Sequence, residues 1–343
     1  MMKAYKFRLY PTEEQKKALE TNFSAVRFVY NYYLALRKEM YETNKETMGF
    51  NAMCKHLTDL KKEPETAWLQ EADSCALQHA VRNLDTAYKN FFRRVKNGET
   101  PGFPKFKSRH NHNDSYKFTS ARIAGEKYIR LGKVGFVECR FSQPVEGRIL
   151  SATVSRNPSG KYFVSLGCGD VEIPHKEPTG AVVGLLIGGD AFVTTSDGVV
   201  YPALQIMKEQ ADKIAKLQRS LSRKEKGGAN YEKARIKLAR AHEKISNQRQ
   251  DFLNKLSTDL VRQYDVIAVN EQKIRDQMQD DHEYAKEALD MCQFEFVRQL
   301  QYKSAWYGSA FVLVKEDQIP TEGSDKEKAE AILRVGLRME SEE

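Results

Sequence analysis

Hydrophobic and polar residues alternate along this chain with two different periods, and the period changes at definable places. Tyr5-Lys6-Phe7-Arg8-Leu9-Tyr10 alternates with period two and predicts a short strand that ends at Pro11-Thr12. Thr12, with Gln15 three residues later, predicts a capping box. The helix it opens runs to about Glu42, striped by Leu19, Phe23, Val26, Val29, Tyr30 and Tyr33. Asp73-Ser74 starts another helix, to about Lys96, with Leu77, Ala80, Val81, Leu84, Tyr88, Phe91 and Phe92 on its buried face. Between residues 116 and 173 alternation returns in short runs separated by turn signals such as Asn157-Pro158-Ser159-Gly160, which predicts a small antiparallel β-barrel.

The second half has longer apolar runs. Ala181 to Ile187 reads as a buried strand, followed by an alternating strand, the turn Ser196-Asp197-Gly198 and a third strand at Val199-Val200-Tyr201-Pro202. Leu204, Met207, Ala211, Ile214, Leu217 and Leu221 follow coiled-coil spacing. Gly227-Gly228 breaks it, and Ala234, Leu238, Ala241, Ile245, Phe252, Leu256 and Leu260 resume it, which predicts a helical hairpin. Further buried strands are expected at Asp265–Val269 and Ser309–Val314, with a helix from Tyr284 to Trp306 between them. The fold class is α+β and multidomain.

Composition adds a direction. The chain has 343 residues, enough for two or three domains, with 55 Lys and Arg against 47 Asp and Glu, a net charge of +8. The excess is local: residues 203–264 carry 15 basic and 7 acidic side chains, whereas residues 316–343 carry 4 and 9. The hairpin is thus a candidate polyanion surface and the tail is not. Five cysteines without a Cys-x-x-Cys spacing indicate neither a disulfide framework nor a zinc site, and an intracellular, reducing location is expected. No apolar run reaches the length of a membrane span. His110-Asn111-His112-Asn113-Asp114 lacks further ligands at fixed spacing and reads as a solvated loop.

Several wordings resemble one family. Lys6-Phe7-Arg8-Leu9-Tyr10-Pro11-Thr12 with Gln15, the loop Gly102-Phe103-Pro104-Lys105-Phe106-Lys107-Ser108-Arg109, and Gly184-Leu185-Leu186-Ile187-Gly188 followed by Ser196-Asp197-Gly198 are similar to TnpB, the transposon-encoded RNA-guided nuclease. Gln301-Tyr302-Lys303 resembles its Leu-x-Tyr-Lys-Ala motif. The resemblance implies a wedge β-barrel from residues 1–10 and 97–175, a helical recognition layer inserted at 11–96, and a ribonuclease-H-like (RuvC) domain at 176–343 into which the 203–264 hairpin is inserted. It also implies a metal site. The family's first motif has Asp where this chain has Leu186, and its second has Glu where this chain has Asn270. Asp325-Lys326-Glu327-Lys328-Ala329-Glu330-Ala331-Ile332 matches the third only loosely. The four-cysteine zinc ribbon expected before the third motif has no counterpart between Ile319 and Asp325.

A nuclease of this type holds two divalent ions about 3.5–4 Å apart between carboxylates. Leu186 offers no ligand and Asn270 only a neutral carbonyl, leaving Asp325 as a possible remnant. Asp190 lies roughly 13 Å further along an extended strand, and Glu271 projects from the opposite face to Asn270, so turn chemistry is expected of Asp190 and Asp197.

The resemblance therefore implies a nuclease-dead TnpB-like repressor: not an enzyme, without zinc or catalytic magnesium. It would bind a guide RNA and double-stranded target DNA, one protein per guide, in the bacterial cytoplasm with no membrane partner, and occupy a promoter beside a short flanking motif. The alternatives are an active magnesium nuclease with displaced ligands and a guide-independent accessory nucleic-acid-binding protein. For DNA contact the candidates are Arg27, Asn31, the i, i+4, i+8 stripe Ser74, Gln78 and Arg82, and Lys105, with Arg37 as a further polar contact. For RNA and backbone contact they are Lys3, Lys6, Arg8, Tyr10, Phe103, Phe106, Lys107, Arg109, Arg219, Arg223, Lys224 and Arg235.

Overall fold

The computed structural model describes residues 1–173, 175–188, 190–202, 206–271 and 292–341. The chain divides into two compact units, Met1–Glu172 and Ile173–Glu343. Of the sequence expectations, Leu204 and the 284–291 start of the Tyr284–Trp306 helix lie outside the described residues.

The first unit opens with β1 (Lys3–Tyr10), whose alternation buries Tyr5, Phe7 and Leu9 on one face. The capping box forms as the sequence predicts. Gln15 N donates to Thr12 Oγ1 at 3.3 Å and Thr12 N to Gln15 Oε1 at 3.0 Å, and α1 (Glu13–Asn44) follows. A short helix that the sequence reading omits, α2 (Phe50–Leu60), buries Met53, Leu57 and Leu60, an i, i+4, i+7 stripe. Asp73 then caps α3 (Ser74–Lys96) by accepting from the amides of Cys75 and Ala76.

Strands β2 (Asp114–Phe118), β3 (Ala121–Ala124), β4 (Tyr128–Leu131), β5 (Gly135–Arg140), β6 (Arg148–Arg156) and β7 (Tyr162–Gly169) join β1 in one antiparallel sheet. Its order is β2-β6-β7-β1-β5-β4-β3. The sheet curls until β3 approaches β6, but among the described residues no ladder joins β2 to β3. The expected barrel is therefore a curled, open sheet. On β2, α1 and α3 pack and an ion-pair chain ties sheet to helix. Arg27 Nη1 donates to Asp114 Oδ1 at 2.7 Å, and Arg156 bridges Asp114 to Glu20. The α1–α3 layer thus belongs to the same compact unit as the sheet, although the sequence shows it as an insertion.

The second unit is built on a mixed five-stranded sheet of order β10-β9-β8-β11-β12. Its strands are β8 (Val182–Ile187), β9 (Val193–Thr195), β10 (Val200–Tyr201), β11 (Val266–Asn270) and β12 (Ala310–Val314). β8, β11 and β12 run parallel, while β9 is antiparallel to both its neighbours. Helices α4 (Ile206–Ser222) and α5 (Ala229–Gln263) form the expected hairpin, closed by Ile214, Leu238, Ala241 and Ile245. α6 (Gln293–Tyr307) and α7 (Asp325–Ser341) complete the unit.

One sheet face buries Val183, Leu185, Ile187, Ile267 and Val269 under Leu256 and Leu260 of α5 and Phe296 and Leu300 of α6. The other buries Leu186, Ala268 and Val314 under Ala329 and Ile332 of α7. Coverage of both faces explains why the β8 sequence is a continuous apolar run rather than an alternating one. Lys303 ties α6 to α5 from a buried position. Its ammonium donates to Asn254 O at 2.9 Å, Ser257 Oγ at 2.7 Å and Thr258 Oγ1 at 2.9 Å, and burial draws its pKa down to about 8.

The segment entering this sheet is pinned by Asp265. Lys176 Nζ lies 2.8 Å from Asp265 Oδ1, and the amides of Thr179 and Gly180 donate to Oδ2 at 2.8 and 2.6 Å. Led by the Lys176 contact, these bonds hold the carboxyl down to about 2. Because the folded pKa is depressed, the stabilisation is fully present above the unfolded value near ~3.9 and is lost as pH falls through about 2. Asp265→Asn is expected to lower the melting temperature at pH 7, and the gap from wild type should close between about pH 4 and 2. A gap that stays constant down to pH 2 would remove the carboxylate from this account.

Candidate functional site

Leu186, Asn270 and Asp325 are the positions at which the resemblance expects metal-binding carboxylates, and each is engaged in something else. Leu186 is 9% exposed and sits in the apolar cluster beneath α7. The helix lies close to it: a Cβ on Gly184 would meet the Ala329 carbonyl oxygen at 2.1 Å, and one on Gly336 would meet Ala268 Cβ at 2.4 Å. Bare glycines at these two positions are what let α7 reach the sheet.

Asn270 ends β11, and its amide reaches across to β8. Ile187 N donates to Asn270 Oδ1 at 2.8 Å, and Asn270 Nδ2 donates to Ile187 O at 3.1 Å. The side chain thereby mimics a peptide unit and extends the β8–β11 pairing by one reciprocal pair. The residue type alone suggested only a poor metal ligand. The clamp could not be read from the sequence, because it depends on a parallel register that pairs residues 84 positions apart, Val269 with Leu185.

Asp325 begins α7 behind a capping box, in which Ser324 N donates to Glu327 Oε2 at 2.7 Å and Glu327 N to Ser324 Oγ at 3.3 Å. Asp325 Oδ2 accepts from the backbone amide of Asp190 at 3.1 Å. Asp197 serves the β9–β10 turn, with Gly198 at φ +88°. Burial pushes its carboxyl up, but hydrogen bonds from Thr195 and from Tyr264 Oη (2.7 Å) outweigh this and leave it below the usual range. Glu271 is exposed, and its amide donates to Val314 O. Among the described residues no three His, Cys, Asp or Glu side chains gather to hold a metal ion. Hard divalent cations need several charged oxygens, and the apolar Leu186 and the neutral Asn270 amide, bonded to Ile187, do not fit a two-ion site.

The nucleic-acid candidates separate into engaged and available side chains. Arg27 is committed to Asp114, and Arg37 is 7% exposed with its guanidinium 3.9 Å from the Tyr88 ring centre. Both are held by the packing of the unit itself. Asn31 makes the same reciprocal pair as Asn270, donating to Lys107 O at 2.9 Å and accepting from Lys107 N at 2.8 Å. It holds the 102–109 loop on α1. Lys107 places its ammonium 4.4 Å over the Tyr30 ring rather than pointing it away from the protein. Arg235 is paired with Glu232 at 2.8 Å, and Lys224 is half-buried.

Ser74, Gln78 and Arg82 are exposed along one stripe of α3, with Arg82 4.9 Å from the Phe50 ring centre. Lys105, Arg109, Arg219 and Arg223 are also exposed. On β1, Lys3 meets Glu146 at 3.6 Å, and Lys6 and Arg8 lie over the Phe163 ring at 4.9 and 5.2 Å, with Tyr10 beside Arg8. Phe103 is partly exposed and Phe106 largely so. Phe92, which the helical stripe places in the core, is 58% exposed.

Residues 1–46 match a family described as a helix-turn-helix domain, although here they form β1 and one uninterrupted helix, α1. Residues 164–280 match the IS605 OrfB family, described as a probable transposase. Two relatives carry the name "Putative RNA-guided DNA endonuclease". One, from Streptomyces pristinaespiralis, is 35% identical over 91% of this chain and 77% of its own length. The other, InsQ of Escherichia coli K12, is 30% identical over 91% and 80%. Among solved structures, that of a Cas12f1–sgRNA–target DNA complex contains a chain of similar fold. Its TM-score is 0.55 at 10% identity, over 97% of this chain and 98% of that one. At this identity over this length, the chain belongs to the TnpB (IS605 OrfB) family.

Proposed function

We propose that this protein binds DNA under the direction of a guide RNA, does not cut it, and represses transcription by occupying a promoter. The names of its relatives and the complex containing its structural neighbour support an RNA-guided, DNA-binding role. The sheet order of the second unit, with helices on both faces, supports its reading as the RuvC-like half, and the short 315–324 connection supports a lost zinc ribbon. The observation that carries the loss of cutting is the use made of Leu186 and Asn270: one is apolar core, the other a strand clamp. Neither position is an open ligand site awaiting an ion. The second reading is a nuclease with displaced ligands, and what favours it is that the Asp190 backbone lies beside the Asp325 carboxylate, amide to oxygen 3.1 Å.

If these positions have become structural, restoring carboxylates should harm the fold before it helps catalysis. Leu186→Asp puts a charge into the apolar cluster under α7, and Asn270→Glu sets a carboxylate against the Ile187 carbonyl with nothing to donate. The double variant is expected to lose about 3 kcal/mol or more of stability and to remain without efficient cleavage of matched DNA in magnesium. Thermal melting and a plasmid-cleavage assay measure the two effects, and robust cutting by a stable double variant would overturn this reading.

The exposed stripe and the exposed loop cations should act differently on DNA. Lys105→Glu with Arg109→Glu is expected to weaken binding of all matched targets about equally by loosening the hold on the bound RNA's phosphates, and to flatten the salt dependence of RNA loading. Ser74→Ala or Gln78→Ala should instead change the preference for bases flanking the target. Binding across a library of flanking sequences distinguishes them, and identical uniform losses would end the assignment of the stripe to motif reading.

For the whole reading, a guide-matched site is placed over a reporter promoter, and expression and plasmid retention are followed together. Reduced expression with full retention is expected. Unchanged expression in cells where guide loading is demonstrated would sink the repressor, and plasmid loss would establish the displaced-ligand nuclease.

A further inference from the structure

The last turns of α3 and the loop after it carry an aromatic surface that the fold does not cover. Phe92 is 58%, Val95 51%, Phe103 46% and Phe106 59% exposed. They are not scattered. Phe91 stands edge-on to Phe92 (ring centres 5.2 Å apart) and to Phe103 (5.4 Å), and Phe103 stands edge-on to Tyr88 at 5.6 Å. Phe106 follows three residues on in the same loop. An isolated exposed ring is ordinary, but linked rings at one place mark an interaction surface.

The cations around the rings indicate the kind of partner. Residues 89–109 contain seven Lys or Arg and one acidic residue, Glu99. Lys89 is paired with Asp85, Arg94 lies 3.8 Å from Glu99, and Lys107 sits over Tyr30. That leaves Arg93, Lys96, Lys105 and Arg109 exposed and without an ion-pair partner among the described residues. A protein partner matched to the rings alone would not need four surplus positive charges. A nucleic acid matches both, provided its bases are unpaired, because a duplex hides the faces that rings stack on. The platform is also prepared in advance: the Asn31–Lys107 pair fixes the far end of the loop, and Phe103 fixes its near end on α3.

We infer that the C-terminal turns of α3 and the 102–109 loop form a stacking platform for unpaired nucleotides of a bound RNA. On the reading above, on which this inference rests, the RNA is the resident partner while target DNA comes and goes, so the exposed rings are assigned to the RNA. Phe92, Phe103 and Phe106 take base faces; Arg93, Lys96, Lys105 and Arg109 take the phosphates between them; Asn31 is a positioning residue.

The test uses the full-length protein, freed of copurified RNA at high salt. It is titrated with a labelled ten-nucleotide unpaired oligoribonucleotide and with an RNA hairpin duplex of equal phosphate count. Phe92→Ala with Phe106→Ala is expected to weaken the unpaired oligonucleotide about tenfold or more, leaving duplex binding and the salt slope unchanged. Arg93→Ala with Lys105→Ala should weaken both ligands and flatten the salt slope. Phe103, which packs on its neighbours, is tested as Phe103→Leu, and melting temperatures confirm that each variant is folded. Equal losses for duplex and single strand, or no loss from the ring variants, would overturn the platform. So would self-association of the wild type that the ring variants abolish, which would mark the patch as a contact between copies. Sequencing the copurified RNA separates this from the guided reading. Random fragments together with ring-dependent oligonucleotide binding would sink guidance and leave the platform standing.

Discussion

The second unit depends on how near α7 comes to its sheet. At Gly184 and Gly336 helix and strands are closer than any side chain would permit, and Ala268 and Ala329 keep the rest of the contact thin. That contact gives the sheet its second covered face. It also buries Leu186 at the position where the family resemblance expects a charged ligand. An ionised carboxylate there would need water or cations, and Leu186 has an apolar cluster around it instead.

A second device occurs once in each unit. A primary amide carries a donor and an acceptor in the same spacing as a peptide group, so an asparagine can pair with a backbone residue as another strand would. Asn270 does this to Ile187 and continues the β8–β11 pairing. Asn31 does it to Lys107 and docks a loop on a helix. A glutamate in place of Asn270 could accept from the Ile187 amide but could not donate to its carbonyl.

The basic excess resolves into two populations. Some of the cations are internal: Arg27 and Arg156 meet at Asp114, Arg37 lies on Tyr88, and Lys303 is enclosed between α5 and α6. Desolvated charges of this kind fix geometry and cannot also serve a ligand. Others stand exposed where a polyanion could reach them: Arg93 and Lys96 at the end of α3, Lys105 and Arg109 in the loop that follows, and Arg219 and Arg223 on the α4–α5 hairpin.

Most of the architecture was legible in the sequence, because the features that carry it are local. The Thr12–Gln15 box, the Asp73 cap, the Ser196-Asp197-Gly198 turn and the coiled-coil spacing of the hairpin act over a few residues, and each formed as read. The family wording was legible for the same reason, as short runs at fixed spacing. Where Leu186 and Asn270 depart from that wording could be read by inspection. What those residues do instead could not, since it was decided by partners far away in the chain: Ile187 for Asn270, and residues 329–332 of α7 for Leu186. The same holds for the nucleic-acid candidates. Sequence marks a cation but not its counter-ion, so only the tertiary structure separated Arg27, with Asp114 87 positions away, from the unpaired Lys105. Helical periodicity likewise assigned Phe92 to the core, and only the tertiary structure showed its ring left in water at 58% exposure.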